Sequence, residues 1–303
     1  MNTFTSPTTT GTRSSGRATG FLLANTAKTA VLLGAIGGLL VAIGSILGGS
    51  SGAVIGLIFG VLISGGSYWF SDKLALRSAG AVEVNEAQAP TLYRIVRDLT
   101  ARADLPMPKI CLIDEDQPNA FATGRNPKHA AVAVTRGLLE ICDEREVAGV
   151  LAHELAHVKH RDILIASIAG AVATAISFVA NMAMWSAMFG GGDDEDSPSP
   201  VVALLVAMVA PLAAGILQMA LSRSREFEAD RGGAEILGDP RPLASALQKL
   251  DYASNRIPNV HVQPSQASAY IVNPLSGRKV AFANLFRTHP STEERVEKLL
   301  ALT

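Results

Sequence analysis

The sequence is short of charge. Only 17% of its 303 residues are Asp, Glu, Lys or Arg, against 48% hydrophobic. With a positive mean hydropathy, that balance excludes an ordinary soluble domain and points to an integral membrane protein. Neither sign of charge dominates. The net charge is −1, so nothing draws the chain to nucleic acid in general. Cysteine is nearly absent: Cys111 and Cys142 are the two. Neither has a partner at metal-ligand spacing, and both read as small buried apolar groups. A disulfide framework is excluded, which suits polar segments in a reducing compartment.

Charge vanishes over residues 53–70, and residues 27–48 carry only Lys28 at their edge. Each run is about 18–22 residues, enough to span a hydrocarbon core of about 30 Å. Gly49, Ser50, Ser51 and Gly52 join them in a tight hairpin. Glycines four apart, such as Gly52, Gly56 and Gly60, let two helices approach closely in lipid. Tyr68, Trp69 and Phe70 suit a membrane–water interface. Two more apolar runs follow, one from residue 163 to about 189 and one over 201–221, where Pro211 predicts a kink. Lys and Arg flank all four runs on one side, while the loop around Asp193, Asp194, Glu195 and Asp196 has neither. The positive-inside rule then puts both termini and both polar blocks in the cytoplasm. Residues 1–26 form a polar Thr/Ser/Gly tail, expected to be disordered and unlike a cleavable signal peptide.

The polar blocks, 71–162 and 222–303, carry the chemistry. His153, Glu154 and His157 form an H-E-x-x-H motif. On a helix the two histidines lie on one face, about 6 Å apart along the axis. Both can reach one Zn²⁺ at about 2 Å. Glu154, rotated by about 100°, is placed to hold a water and take its proton. The surroundings support a buried helix rather than a solvated one with ordinary histidines. Asp143 and Glu146 form a capping box. Val147, Leu151, Leu155 and Val158 form an apolar stripe. Gly149, Ala152 and Ala156 leave room for a second backbone. Before this helix the pattern predicts a helix over 87–102 and strands over 109–113, 119–123 and 129–135. After the fourth run it predicts a helix opening at Ser222, another over 240–254, and a last one over 292–302 behind a Ser291/Glu294 capping box. Residues 256–287 read as loop with at most a short strand.

A catalytic zinc needs a third protein ligand and an open position. His160 lies about 10 Å along the axis from His153, too far to share an ion. Glu226 and Asp230 lie four apart on a helix that starts where the fourth run ends, at the same membrane surface as the histidines. One could bind metal while the other steadies a ligand histidine through its free N–H.

The motif from His153 to His157, the two-span hairpin, and the stretch S-R-S-R-E-F-E-A-D from Ser222 to Asp230 together resemble the HtpX-type heat-shock membrane metalloproteases. These are relatives of the prenyl-protein endopeptidases and of mitochondrial quality-control proteases. The resemblance covers about residues 28–303. It implies His153, His157 and Glu226 as zinc ligands, Glu154 as general base, Asp230 as the group steadying a ligand, and one Zn²⁺ per subunit. It also implies an α-helical integral membrane protein with four transmembrane helices. Its mainly α, α+β gluzincin-like domain would carry a small three-stranded sheet on the cytoplasmic face of a bacterial-type inner membrane. Asn119, Ala120, Phe121 and Ala122 resemble the edge strand on which substrate backbone pairs, a role for which an unpaired edge is suited. His289, in H-P-S-T-E-E-R, resembles a histidine that stabilises the oxyanion. The expected function is an endopeptidase acting in stress response on misfolded or damaged membrane proteins, with protein substrates and lipid as partners and no nucleic acid. A prenyl-peptide processing protease and a non-catalytic scaffold with a structural zinc are the alternatives. The intact Glu154 speaks against the scaffold, because a structural site needs no base. The long polar tail and the acidic loop depart from the family pattern without touching the chemistry.

Overall fold

The computed structural model describes residues 12–163, 223–257, 271 and 290–303, with side chains between 12 and 78 described in part. Most of the second expected hairpin, its acidic loop, nearly all of 256–287, and His289 lie outside these residues. Helix α1 runs from Thr12 to Ser78. It begins inside the stretch expected as tail, and no proline interrupts the chain between Thr12 and Ser78. It reverses at Gly49, which has φ +58°. The two limbs then touch through glycines: a Cβ on Gly60 would lie 3.1 Å from Gly37 Cα, and one on Gly56 only 2.3 Å from the Leu40 carbonyl oxygen. Among the described residues, no helix is long and apolar enough to cross a membrane.

The polar part is built around a small mixed sheet. Its strands are β1 (Val82–Glu83), β2 (Lys109–Ile113), β3 (Ala120–Gly124) and β4 (Ala130–Thr135), in the order β1-β2-β4-β3. β2 and β4 are parallel, and the outer pairs are antiparallel. The expected three strands are thus joined by a fourth, β1, whose two residues are too few to show an alternation in sequence. Both faces of the sheet are covered. Ile110, Ala122, Val132 and Val134 meet the main core, while Cys111, Ile113, Phe121 and Ala133 pack against Leu76, Ala79 and Ala81 at the end of α1. Cover on both sides explains the nearly continuous apolar character of β4.

Helix α2 (Pro90–Ala103) buries Leu92, Ile95, Val96 and Leu99 at helical spacing and ends on Asp104 in the left-handed region. A short α3 (Arg136–Ile141) follows β4, capped by Thr135. Helix α4 (Glu144–His160) opens on the full Asp143/Glu146 capping box. It is buried on nearly every side. Leu151 and Leu155 are 1% and 0% exposed, and each such burial contributes about 1.5–3 kcal/mol. Helices α5 (Arg223–Leu237), α6 (Arg241–Ser254) and α7 (Thr292–Leu300) complete the described part. α4 is the hub, packed by α2, α5, α6 and β3.

Candidate metal and catalytic site

The site forms where α4 and α5 lie almost backbone to backbone. Small residues make that possible. A Cβ on Gly233 of α5 would sit 2.8 Å from the His153 backbone nitrogen, and one on Gly149 of α4 would sit 2.7 Å from the backbone nitrogen of Leu243 in α6. This close approach brings Glu226, near the start of α5, across from the two histidines of α4.

Nε2 of His153 and Nε2 of His157 are 3.1 Å apart. Glu226 offers Oε1 at 3.8 Å from His157 Nε2 and Oε2 at 3.9 Å from His153 Nε2. The three residues can each present one ligand atom so that all lie within 4.8 Å of one another. A tetrahedral ion with ligands at about 2.0–2.1 Å holds them about 3.3 Å apart, so this donor set fits a metal ion. His160, one turn further on, is not part of the group.

Each histidine is held through its other ring nitrogen. His153 Nδ1 is 2.9 Å from Asp230 Oδ1, and His157 Nδ1 is 3.0 Å from Asp162 Oδ2. A carboxylate at Nδ1 fixes the tautomer that leaves Nε2 as the acceptor. Asp230 is in turn gripped by Arg295 of α7, whose Nε and Nη2 donate to its two carboxylate oxygens at 2.9 and 2.7 Å. Arg295 is 2% exposed.

Burial is the largest influence on His153, Glu154, His157 and Asp230. It lowers the pKa of His153 even against Asp230, which favours a neutral ring. It would raise Asp230, but Arg295 outweighs it and keeps that carboxyl low. At His157 burial is overcome by Asp162, with help from Glu226 and Glu154, and the pKa is pushed up to about 9. The field around His157 therefore favours a cation. Glu154, 3% exposed, is pushed up to about 7 by burial, while the backbone N–H of Ala122 in β3 donates to it and pulls the other way. Glu154 thus lies between the histidines of its own helix and the outer edge of the sheet.

The structure brings together His153, Glu154, His157, Glu226, Asp230 and Ala122. Of the other expected edge residues, Asn119 is engaged with β4 through Thr135, and Phe121 packs on the α1 side of the sheet. Ala120 is on the edge, with its carbonyl accepting from the backbone of Ile271 at 3.1 Å. His289 lies outside the described residues. Cys111 and Cys142 are buried away from the site, their thiols pushed up to about 11 and 12 by burial. Sequence reasoning passed over Asp162 and Arg295. The signal for Asp162 was a carboxylate just past the end of the motif helix. Arg295 carried none, because it sits in a run of charges that reads as solvated.

Known proteins bear on this geometry. The model of peptidase family M48 matches residues 86–303. Proteins named Protease HtpX homolog from Burkholderia mallei (strain SAVP1) and Burkholderia pseudomallei (strain K96243) are each 54% identical over 279 residues, 91% of this chain and 96% of theirs. The crystal structure of S. mikatae Ste24p aligns with a TM-score of 0.49 at 18% identity, over 93% of this chain and 67% of that one, a likeness too loose to argue from. By the family match and by relatives half identical almost end to end, the chain belongs to peptidase family M48, as a metalloprotease of the HtpX type.

Proposed function

We propose that the chain is a zinc-dependent endopeptidase of a bacterial-type inner membrane, which cleaves exposed cytoplasmic segments of misfolded or damaged membrane proteins. The observation that carries the chemistry is the convergence of His153 Nε2, His157 Nε2 and Glu226 beside Glu154, at the edge of β3. His153, His157 and Glu226 would hold the Zn²⁺. When bound, that ion lowers the pKa of a water and polarises a peptide carbonyl. Asp230 and Asp162 hold the two imidazoles in the ligating tautomer. Glu154 takes the water's proton and passes it to the leaving amine, so that one water is consumed for each peptide bond broken. The edge of β3 orients the substrate backbone, and His289 is the candidate to stabilise charge on the scissile carbonyl.

The membrane reading is supported by α1. Beyond its reversal, Ile55, Ile58, Phe59 and Leu62 are each more than half exposed, apolar surface that water disfavours and lipid does not. Trp69 and Phe70 end this stretch, with Arg125 over the Trp69 ring at 4.9 Å and Lys73 over the Phe70 ring at 5.7 Å. Such aromatic–cation pairs suit the headgroup region.

The test uses wild type and Glu154→Gln, purified in detergent, with zinc content and cleavage of an unfolded protein measured together. Both should hold zinc, and the variant should cleave about 10²–10⁴-fold more slowly. Cleavage by the variant at the wild-type rate would overturn the role of Glu154.

A further inference from the structure

Successive residues of a strand turn their backbone groups to opposite edges, and in β3 the register fixes which is which. Asn119 faces β4: its N–H donates to Thr135 Oγ1 at 2.8 Å and its carbonyl accepts from Thr135 N at 3.0 Å. Ala120 and Ala122 therefore turn theirs to the outer edge, where the Ala122 N–H meets Glu154. The protein itself uses both backbone groups of Ala120. Its N–H donates to Asn119 Oδ1 at 3.1 Å, and its carbonyl accepts the N–H of Ile271 at 3.1 Å.

Ile271 is firmly seated. It is 1% exposed and part of the main core. Its carbonyl accepts from Arg295 Nη1 at 2.9 Å, the same guanidinium that grips Asp230. A substrate strand that claimed the Ala120 carbonyl would have to pull a large apolar side chain from the core and break both of these hydrogen bonds.

We infer that Ile271 is the end stop of the substrate-binding edge: a substrate backbone pairs with β3 through the Ala122 carbonyl and is barred from Ala120. The inference rests on the reading of β3 as the edge that receives substrate. The main-chain pairing is then short, so the enzyme needs only a few residues of locally extended chain. A loop or a frayed terminus of an otherwise folded protein qualifies as well as a fully unfolded one.

The experiment uses the full-length, zinc-loaded protein and a short peptide spanning a cleavage site it makes in β-casein. The peptide is N-methylated at one backbone nitrogen at a time, and kcat/KM is read for each. A companion protein carries Ile271→Pro, which removes both the N–H that covers the Ala120 carbonyl and the side chain that seats this residue in the core. In wild type a single non-scissile position should be sensitive, losing about tenfold for one lost hydrogen bond. The Ile271→Pro protein should gain a second sensitive position two residues away, where the Ala120 carbonyl has become open. Two sensitive positions already in wild type would overturn the role of Ile271 and leave the edge reading standing. An unchanged pattern in the Ile271→Pro protein would overturn it as well. Insensitivity at every position would overturn the edge reading itself, and the end stop with it.

Discussion

Asp162 Oδ2 lies 3.0 Å from Nδ1 of His157, although the helix that carries the histidine has already ended. Arg161, at φ 58°, turns the chain in the left-handed region and returns Asp162 to the ring, with its own N–H on the His157 carbonyl at 3.3 Å. If this carboxylate sets the tautomer and angle of a zinc ligand, Asp162→Ala should weaken zinc binding about 10–100-fold. Asp162→Asn keeps an acceptor oxygen and should lose less. Competition against a chromogenic chelator measures both, and an alanine variant with wild-type affinity would rule out an orienting role.

Arg295 ties the last helix to the site through Asp230. With Nε, Nη1 and Nη2 all engaged, and with 2% exposure, its removal leaves a buried carboxylate without a counter-charge. Arg295→Leu should cost about 3–5 kcal/mol of stability. Arg295→Lys should fall between, since an ammonium cannot reproduce the planar fork. Adding Asp230→Asn to Arg295→Leu removes the stranded charge, so part of the lost stability should return. Urea unfolding of the four proteins reads this directly. If the double variant is no more stable than Arg295→Leu, the stranded charge is not the cause.

These two residues also mark where sequence reasoning stopped. The donor set was legible because a helix fixes its own geometry. Four-residue spacing puts His153 and His157 on one face, and Glu226 and Asp230 on another, whatever the rest of the chain does. The capping box of α4 and the seams at Gly149, Ala152 and Ala156 were legible for the same reason. Which of Glu226 and Asp230 would face Nε2 of both histidines was not. Spacing is symmetric between them, and the family resemblance supplied that choice. Arg295 could not be read because its burial depends on α5, α7 and Ile271 meeting at one point. Asp162 depends on one left-handed residue, Arg161, for which no glycine gave warning. The two-residue strand β1 lies below the length at which alternation carries information.

The seam between α4 and α5 can be tested on its own. A methyl at Gly233 would lie 2.8 Å from the His153 backbone nitrogen and 2.9 Å from its Cα, atoms that cannot move without moving the His153 ring. At the neighbouring Gly232 it would meet the Ala156 side chain at 3.0 Å and the His160 ring at 3.3 Å, and the ring can turn aside. Gly233→Ala should therefore cost about 1–3 kcal/mol and lower zinc occupancy, while Gly232→Ala should be milder in both. Thermal unfolding with zinc analysis of the two variants separates the cases. Equal effects would show that the seam is looser than these distances indicate.

Acid stability turns on Glu146, away from the candidate metal ligands. Its carboxylate accepts from Ser245 Oγ at 2.6 Å, Lys249 Nζ at 2.7 Å and the Asp143 backbone N–H at 2.9 Å. Burial raises its pKa, but these donors outweigh burial and hold it below the ordinary 4.5. A carboxyl whose folded pKa lies below its unfolded one stabilises the fold fully above the unfolded value. That contribution is lost as the pH falls through the folded value. Glu146→Gln should thus be less stable than wild type by about 1–3 kcal/mol at neutral pH, the worth of charged hydrogen bonds. Below about pH 4.5 wild type should lose that advantage progressively, so the two stability curves should converge on the acid side. Melting temperatures by near-UV circular dichroism, from neutral pH down to about pH 3, give the comparison. Because every other carboxylate is common to both proteins, only their difference reports on Glu146. Curves that run parallel through the acid range would mean that Lys249 and Ser245 hold a glutamine as firmly as the carboxylate, and that the charge itself contributes nothing.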